Sequence, residues 1–310
     1  MRRVAFLACR HNLTTSPDRW PDAFEHDREL AAFAPAFAAA GMSLEEVDWE
    51  AVNPATADFD LYFVRTTWNY KEKPDAFSDF LARAAQCAPV ANDPRLIAWN
   101  MNKRYLGEME ARGLPMIPSA FVDAPCTTID VLRTALGARE IVLKPLYGGG
   151  GFDMRRVAAA DDGAQVVADT HFAQPFVPGI LDEGELSFVF VEREFSHALR
   201  KRPADGNYLI HTHHGGRSEV YHPSADEIDA CRTFLDAAPM PALAVRVDVV
   251  PHEGTLLLME FEAIEAHLFP EYNVHLGDML AAACGRCLPD CDGAASVAPV
   301  QMPDESSYLE

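Results

Sequence analysis

The sequence predicts an α/β domain over residues 1–92, followed by a two-lobed α+β region divided into 93–175 and 176–310. Three observations carry this. Strand-like and helix-like patterns alternate through the first segment, as they do in a small parallel sheet with crossover helices. Four successive glycines, 148–151, stand between two strand-like runs. Beyond them the chain is mostly long alternating apolar runs, the pattern of β-hairpins.

In chain order, "RVAFLAC" (3–9) has the β-branched and aromatic content of a buried strand. Residues 27–40 carry apolar side chains at helical spacing, with Gly41 placed as a stop. A second strand is expected at 59–65 and a second amphipathic helix at 75–86. A helix over 101–112 ends at Gly113, and Pro115 and Pro118 lead into a strand. The helix "TIDVLRTAL", the strand ending in Lys144 and Pro145, the glycine run and the strand "MRRVA" complete a compact lobe. Residues 184–203 and 242–265 read as two long hairpins, the second turning at His252-Glu253-Gly254. Helices are expected at 225–237 and 277–286, and the Pro-, Asp-, Ser- and Ala-rich residues from about 289 to 310 as a loose tail.

Composition narrows the partners. A net charge of −21 argues against nucleic acid and anionic membranes, because phosphate binding needs a positive field. No secretory leader is read in "RRVAFLAC", whose apolar run breaks at Arg10-His11-Asn12, and no stretch approaches a membrane span. Seven scattered cysteines fit reduced thiols in a cytoplasm. Cys284, Cys287 and Cys291 are spaced C-x2-C-x3-C but read as the end of a helix.

Four glycines beside a lysine need a reason, since glycine loses the most conformational freedom on ordering. The run suits a loop whose N–H groups cradle a phosphate, with Lys144 at its start; a long turn is the alternative. The second hairpin gathers charge. Side chains two apart share a strand face, so Arg246 and Asp248 point one way, and Glu260 and Glu262 point together from the partner strand. The turn near residue 254 brings Asp248 roughly opposite Glu260. Three unpaired carboxylates among Val and Leu would cost heavily. A divalent cation resolves this, and oxygen-only ligation selects Mg²⁺ or Mn²⁺ over zinc. An acidic face paired with Arg246 is the alternative. Trp68, Asn69 and Tyr70 follow a strand end, where α/β domains bind ligands, and Arg65 suits a substrate carboxylate; packing of Trp68 and Tyr70 between domains is the bland explanation.

The lysine, the glycine run and the later carboxylates match neither a Walker A loop nor G-x-G-x-x-G. They resemble the ATP-grasp superfamily, of the glutathione-synthetase and RimK-like kind, in which two α+β lobes follow an α/β domain and hold Mg-ATP. "VRTTWNY", "AWNMNKRYL", "EGELSFVF" and "MEFEAIEAHLF" further resemble the subgroup containing the cyclo-ligase of cycloserine biosynthesis. The resemblance implies that Lys103 and Lys144 contact the nucleotide and that Gly148, Gly149, Gly150 and Gly151 close over its phosphates. It further implies that Gln174, Phe176 and Val177 in "AQPFVPG" meet the adenine, with Glu183 on the ribose. Asp248, Glu260 and Glu262 match the metal ligands; where glutathione-synthetase-like members end the motif with Asn, Glu262 adds a charge. Arg200 and Arg246 are the catalytic candidates, Arg200 near the γ-phosphate. Arg65, Thr66, Trp68 and Tyr70 are candidate substrate contacts. So are His211, Gly215 and Gly216 in "HTHHGG", a substrate-side loop for which zinc at His211 and His213 is the alternative.

The expected activity is that of an ATP-dependent ligase. It would activate a carboxylate or carbonyl of an amino-acid-like substrate as an acyl phosphate, then join it to an amine or other nucleophile, within one molecule or between two. A phosphotransferase and a non-catalytic ATP-binding module are the alternatives. The expected cofactors are ATP and Mg²⁺, with Mn²⁺ as a substitute, and the partners small molecules, with a homodimer left open.

Overall fold

The structure is a computed structural model describing residues 1–210 and 215–289. The chain begins with β1 (Arg2–Ala8), α1 (Phe24–Ala39), β2 (Met42–Asp48), α2 (Pro54–Ala57), β3 (Leu61–Thr66), α3 (Pro74–Ala85), β4 (Val90–Ala91) and α4 (Pro94–Met101). It continues through α5 (Tyr105–Ala111), β5 (Ala120–Phe121), α6 (Ile129–Leu136), β6 (Ile141–Pro145), β7 (Arg155–Val157), β8 (His171–Pro175) and α7 (Gly179–Asp182). β9 (Glu185–Val191), β10 (Glu194–Arg202), β11 (Arg217–Tyr221), α8 (Ala225–Ala237), β12 (Ala244–His252), β13 (Thr255–Glu262) and α9 (Leu276–Cys287) follow.

The chain forms two compact units. One comprises Met1–Ala98, Pro239–Val245 and Ala263–Glu310; the other, Trp99–Ala238 and Arg246–Glu262. The first unit holds a parallel sheet ordered β2-β1-β3-β4. Val4 through Ala8 are fully buried, as expected of a strand covered on both faces. β2 escapes the sequence pattern because "MSLEEVD" reads polar, yet its two glutamates are satisfied from neighbouring elements. Arg3 holds Glu45 bidentately at 2.9 and 2.8 Å, while His26 and the Thr14 N–H donate to Glu46 at 2.8 and 2.9 Å.

The buried stripe of α1 is formed by His26, Glu29, Phe33 and Phe37, so two polar residues occupy core positions. Glu29 is compensated from several sides. Arg65 on β3 donates to it at 2.9 and 2.8 Å, the Leu268 N–H at 2.9 Å, and His267 lies 3.4 Å away. Burial would raise the Glu29 carboxyl, but Arg65 and His267 outweigh that and hold it at about 2. Removing Arg65 strands this charge. Arg65→Ala is expected to cost about 3–5 kcal/mol in urea unfolding, the scale for breaking a buried pair. A loss under about 1 kcal/mol, the scale of exposed pairs, would contradict that explanation.

The second unit contains two sheets, ordered β5-β8-β6-β7 and β11-β10-β9-β12-β13. The first is antiparallel throughout, and its back face packs Ile141, Leu143 and Ala173 against Ile129 and Leu132 of α6. The second contains both expected hairpins. In the β12–β13 turn Glu253 and Gly254 have φ of 48° and 80°, the two left-handed residues of a type I′ connection. One expectation is corrected: of the helix expected over 101–112, α5 occupies only Tyr105–Ala111, and residues 102–104 break it from a separate helix, α4, that ends at Met101. At the break the Lys103 N–H donates to the Leu146 carbonyl at 2.9 Å, a tertiary bond that periodicity does not reveal. The expected tail lies almost wholly outside the described residues.

Candidate active site

Strand alternation builds a cleft in the second unit. On β6, Ile141 and Leu143 face the core, so Val142 and Lys144 face the other way. Register pairs Val142 with Gln174 and Lys144 with Phe172 on β8, and all four line the cleft. The glycine run leaves β6 directly and covers this face. Gly150 and Gly151 have φ of 66° and 73°, where other residues are strained, and a Cβ on Gly148 would lie 2.6 Å from Pro145 Cγ. The cleft encloses about 1040 Å³ of empty space, open mouth included.

The five-stranded sheet supplies the charges. Arg246 stands opposite Glu262, Asp248 opposite Glu260, and Lys201 opposite Glu185. Arg246 Nε lies 2.9 and 3.0 Å from the two Asp248 oxygens, and its Nη2 lies 2.8 Å from Asp248 and 3.0 Å from Glu262. Ser187 donates its hydroxyl to Asp248, and Lys201 Nζ sits 3.1 Å from Glu185 and 3.6 Å from Asp248. Lys103 pairs with Glu260. Carboxylate oxygens of Asp248, Glu260 and Glu262 come within 4.8 Å of one another. A hard divalent cation suits that all-oxygen set, and Lys103 and Arg246 already counter part of its charge.

Protonation follows from burial and company. Burial chiefly, helped by the Lys103 charge, pulls the Lys144 ammonium down to about 8. Burial would lift Asp248, but Arg246 and Lys201 outweigh it and hold the carboxyl well below its usual range. Glu185 is pushed up, by burial first and Asp248 second, against the pull of Lys201.

Of the residues named from sequence, Lys103, Lys144, Gly148, Gly149, Gly150, Gly151, Gln174, Phe176, Val177, Arg246, Asp248 and Glu260 line this cleft. Glu262 joins through Arg246. Glu183 is exposed at the end of α7, while Glu185, two residues on, lines the cleft. Arg200 requires correction. β10 alternation puts it on the face opposite Lys201, with its guanidinium 4.9 Å above the Tyr221 ring and 4.0 Å from Glu219. Lys201, six per cent exposed, is the cleft cation there. The signal was available: Lys201 shares its face with Leu199, directly across from Glu185 and Ser187 on β9. Lys201→Ala is therefore expected to lower kcat/KM by roughly a hundredfold or more, the scale for losing one charge-stabilising donor, and Arg200→Ala only slightly. Equal losses from the two would contradict this assignment.

The named substrate residues in the first unit are occupied. Arg65 is spent on Glu29 and on the Ala266 carbonyl at 2.5 Å, which removes it as a free donor for a substrate carboxylate. The Thr66 hydroxyl is 2.7 Å from His26 Nδ1. Tyr70 is buried against Phe77, and Trp68 stacks on Trp20. In the second unit, Gly215 has φ of 83° and Gly216 is half-buried, whereas His211 and His213 lie outside the described residues. Cys284 is buried in α9, Cys287 donates its thiol to the Ala283 carbonyl, and Cys291 is outside the described residues. No helix among the described residues is long and apolar enough to cross a membrane.

Comparison with known proteins adds an independent line. Residues 4–92 match the family model described as D-cycloserine synthetase DcsG, N-terminal domain. The chain is 26% identical over 262 residues to the cycloserine biosynthesis protein DcsG of Streptomyces lavendulae, covering 78% of this chain and 88% of that one. The crystal structure of D-cycloserine synthetase DcsG superposes with a TM-score of 0.77 at 24% identity, over 92% of this chain and 99% of the other. The ATP-grasp ligase PsnB, complexed with a minimal precursor, gives 0.63 at 17% identity, over 92% and 99%.

Proposed function

We propose that this chain, whose fold is that of the ATP-grasp ligases, is an ATP-dependent ligase that activates the carboxylate or carbonyl of a small amino-acid-like compound as an acyl phosphate. An amine or another nucleophile then displaces the phosphate, in the same molecule or a second one. The supporting observation is the convergence of Lys103, Lys144, Lys201 and Arg246 with three carboxylates beneath a glycine loop.

The chain's own groups have little covalent work to do. Lys144 and Lys103 neutralise polyphosphate charge, and the glycine run brings main-chain N–H groups close to it. Gln174, Phe176 and Val177 meet the base. Asp248, Glu260 and Glu262 would hold Mg²⁺, or Mn²⁺ in its place, and that ion would supply positive charge to neutralise the phosphates. Lys201 and Arg246 stabilise the charge that spreads over the phosphoryl oxygens during transfer, and they matter most in the transition state. The cleft walls keep out water that would compete for the activated acyl group.

Incubation with ATP, Mg²⁺ and a panel of amino acids and ureido compounds tests this. The expected products are ADP, phosphate and a joined compound. ADP with a phosphorylated, unjoined product would make the protein a phosphotransferase. AMP and pyrophosphate would mean adenylation and contradict the mechanism.

A further inference from the structure

The cations that line the cleft differ in how firmly they are committed. Arg246 serves two carboxylates at once: its Nε and Nη2 hold Asp248 at 2.9 and 2.8 Å, and Nη2 also reaches Glu262 at 3.0 Å. It is buried, and its planar fork fits both acceptors, so it has little freedom to leave either. Lys201 is buried as well, against Glu185 and Asp248.

Lys103 is different. It pairs with Glu260 where the cluster opens, the two side chains being 11% and 26% exposed. An ammonium on a flexible stem can change acceptors by rotamer changes alone. Its backbone is fixed independently, because the Lys103 N–H donates to the Leu146 carbonyl at 2.9 Å. The charge can therefore move while the chain that carries it stays in place.

Glu260 is also the carboxylate that a metal ion needs. It stands opposite Asp248, and the carboxylate oxygens of Asp248, Glu260 and Glu262 come within 4.8 Å of one another. A cation drawn to the three must share a carboxylate with Lys103, and like charges at one acceptor repel. A second anion-binding position is close by for the lysine. Lys103 and Lys144 line the same cleft, and after burial it is the Lys103 charge that lowers the Lys144 ammonium.

We propose that Lys103 is an exchangeable counter-ion: Glu260 trades it for the divalent cation, and the released ammonium turns to the polyphosphate. Metal and nucleotide then load together, each improving the site for the other. The inference rests on the Mg-ATP chemistry proposed above and deepens it, giving Lys103 two successive partners.

The test titrates Mn²⁺ alone into the nucleotide-free full chain and follows the loss of the free-ion EPR signal. Lys103→Met keeps most of the bulk and removes the charge. It should bind Mn²⁺ roughly tenfold or more tightly than wild type, the scale of one charge-assisted hydrogen bond no longer to be displaced. Lys103→Arg keeps the charge and should bind no better than wild type. Lys144→Met removes an equal charge that makes no ion pair among the described residues, and it should gain much less. In a Glu260→Gln background, Lys103→Met should bring no gain. Thermal stabilisation by ATP and Mg²⁺ is recorded separately. The exchange is overturned by unchanged or weaker Mn²⁺ binding in Lys103→Met, by no binding in either protein, or by an equal gain in Lys144→Met; a wild-type ATP response would still leave the ligase function standing. A gain that depends on Lys103 and Glu260, in a protein that ATP and Mg²⁺ do not stabilise, would keep the competition for Glu260 and overturn the nucleotide chemistry instead.

Discussion

Lys144→Ala is expected to abolish the rise in melting temperature that ATP and Mg²⁺ give the wild-type protein. Lys144 is half-buried in the wall of the cleft, and the glycine run starts four residues later. A ligand at a hundred times its Kd stabilises by about 2.7 kcal/mol, which a thermal scan resolves readily. Alanine also removes a poorly solvated charge, so the empty variant should fold at least as well as wild type. The same residue sets a pH dependence. Its folded-state value, about 8, lies below the ordinary lysine value of 10.5, so its charge is present below pH 8 and lost above it. Nucleotide affinity should hold up to that point, then fall by up to about tenfold per pH unit. Lys144→Arg stays charged throughout and should flatten the profile. A wild-type affinity unchanged between pH 7 and 10 would remove Lys144 from phosphate binding.

Glu260→Gln is the second large effect. It removes one charge from the cluster of Asp248, Glu260 and Glu262. Turnover should fall by more than the roughly tenfold to hundredfold seen when only an outer partner of a metal ligand is lost. The fold should survive with little change. From the sequence, relief of repulsion would make this substitution stabilising. In the structure Lys103 pairs with Glu260 and Arg246 bridges Asp248 and Glu262, so much of that repulsion is already compensated. Melting temperature without ligand and steady-state rate, measured on one preparation, separate the two contributions. Normal turnover in Glu260→Gln would remove the metal role from this residue.

Much of the cleft was legible because its residues lie on strands with clean alternation. β12–β13 is the exception: regular pairing from His252–Thr255 would set Asp248 against Met259, and a bulge between Asp248 and Val249 shifts the register by one residue and brings Glu260 opposite. Lys144 and the glycines were visible as a local anomaly of composition. Alternation puts Ala198, Arg200 and Arg202 on one face of β10 but does not say which face is inward; the register with β9 sets Lys201 across from Glu185 and gives the inward face to Lys201. Arg65 was harder. A buried arginine at a strand end looks like a ligand contact until its partner appears, and that partner, Glu29, lies on a helix 36 residues away. β2 was hidden for a similar reason: its glutamates are satisfied by Arg3, Thr14 and His26, none of them neighbours in sequence. Local patterns report local geometry; charge pairing across elements appears only in three dimensions.

The acyl phosphate is the central claim, and isotope transfer tests it most directly. With the substrate identified by ADP release, its carboxylate is labelled with ¹⁸O and the released inorganic phosphate is analysed by mass. Attack of that carboxylate on the γ-phosphoryl group carries one labelled oxygen into the phosphate, and that is the expected result. Unlabelled phosphate, formed alongside a joined product from fully labelled substrate, would mean that no acyl phosphate had formed, and the proposed mechanism would be wrong.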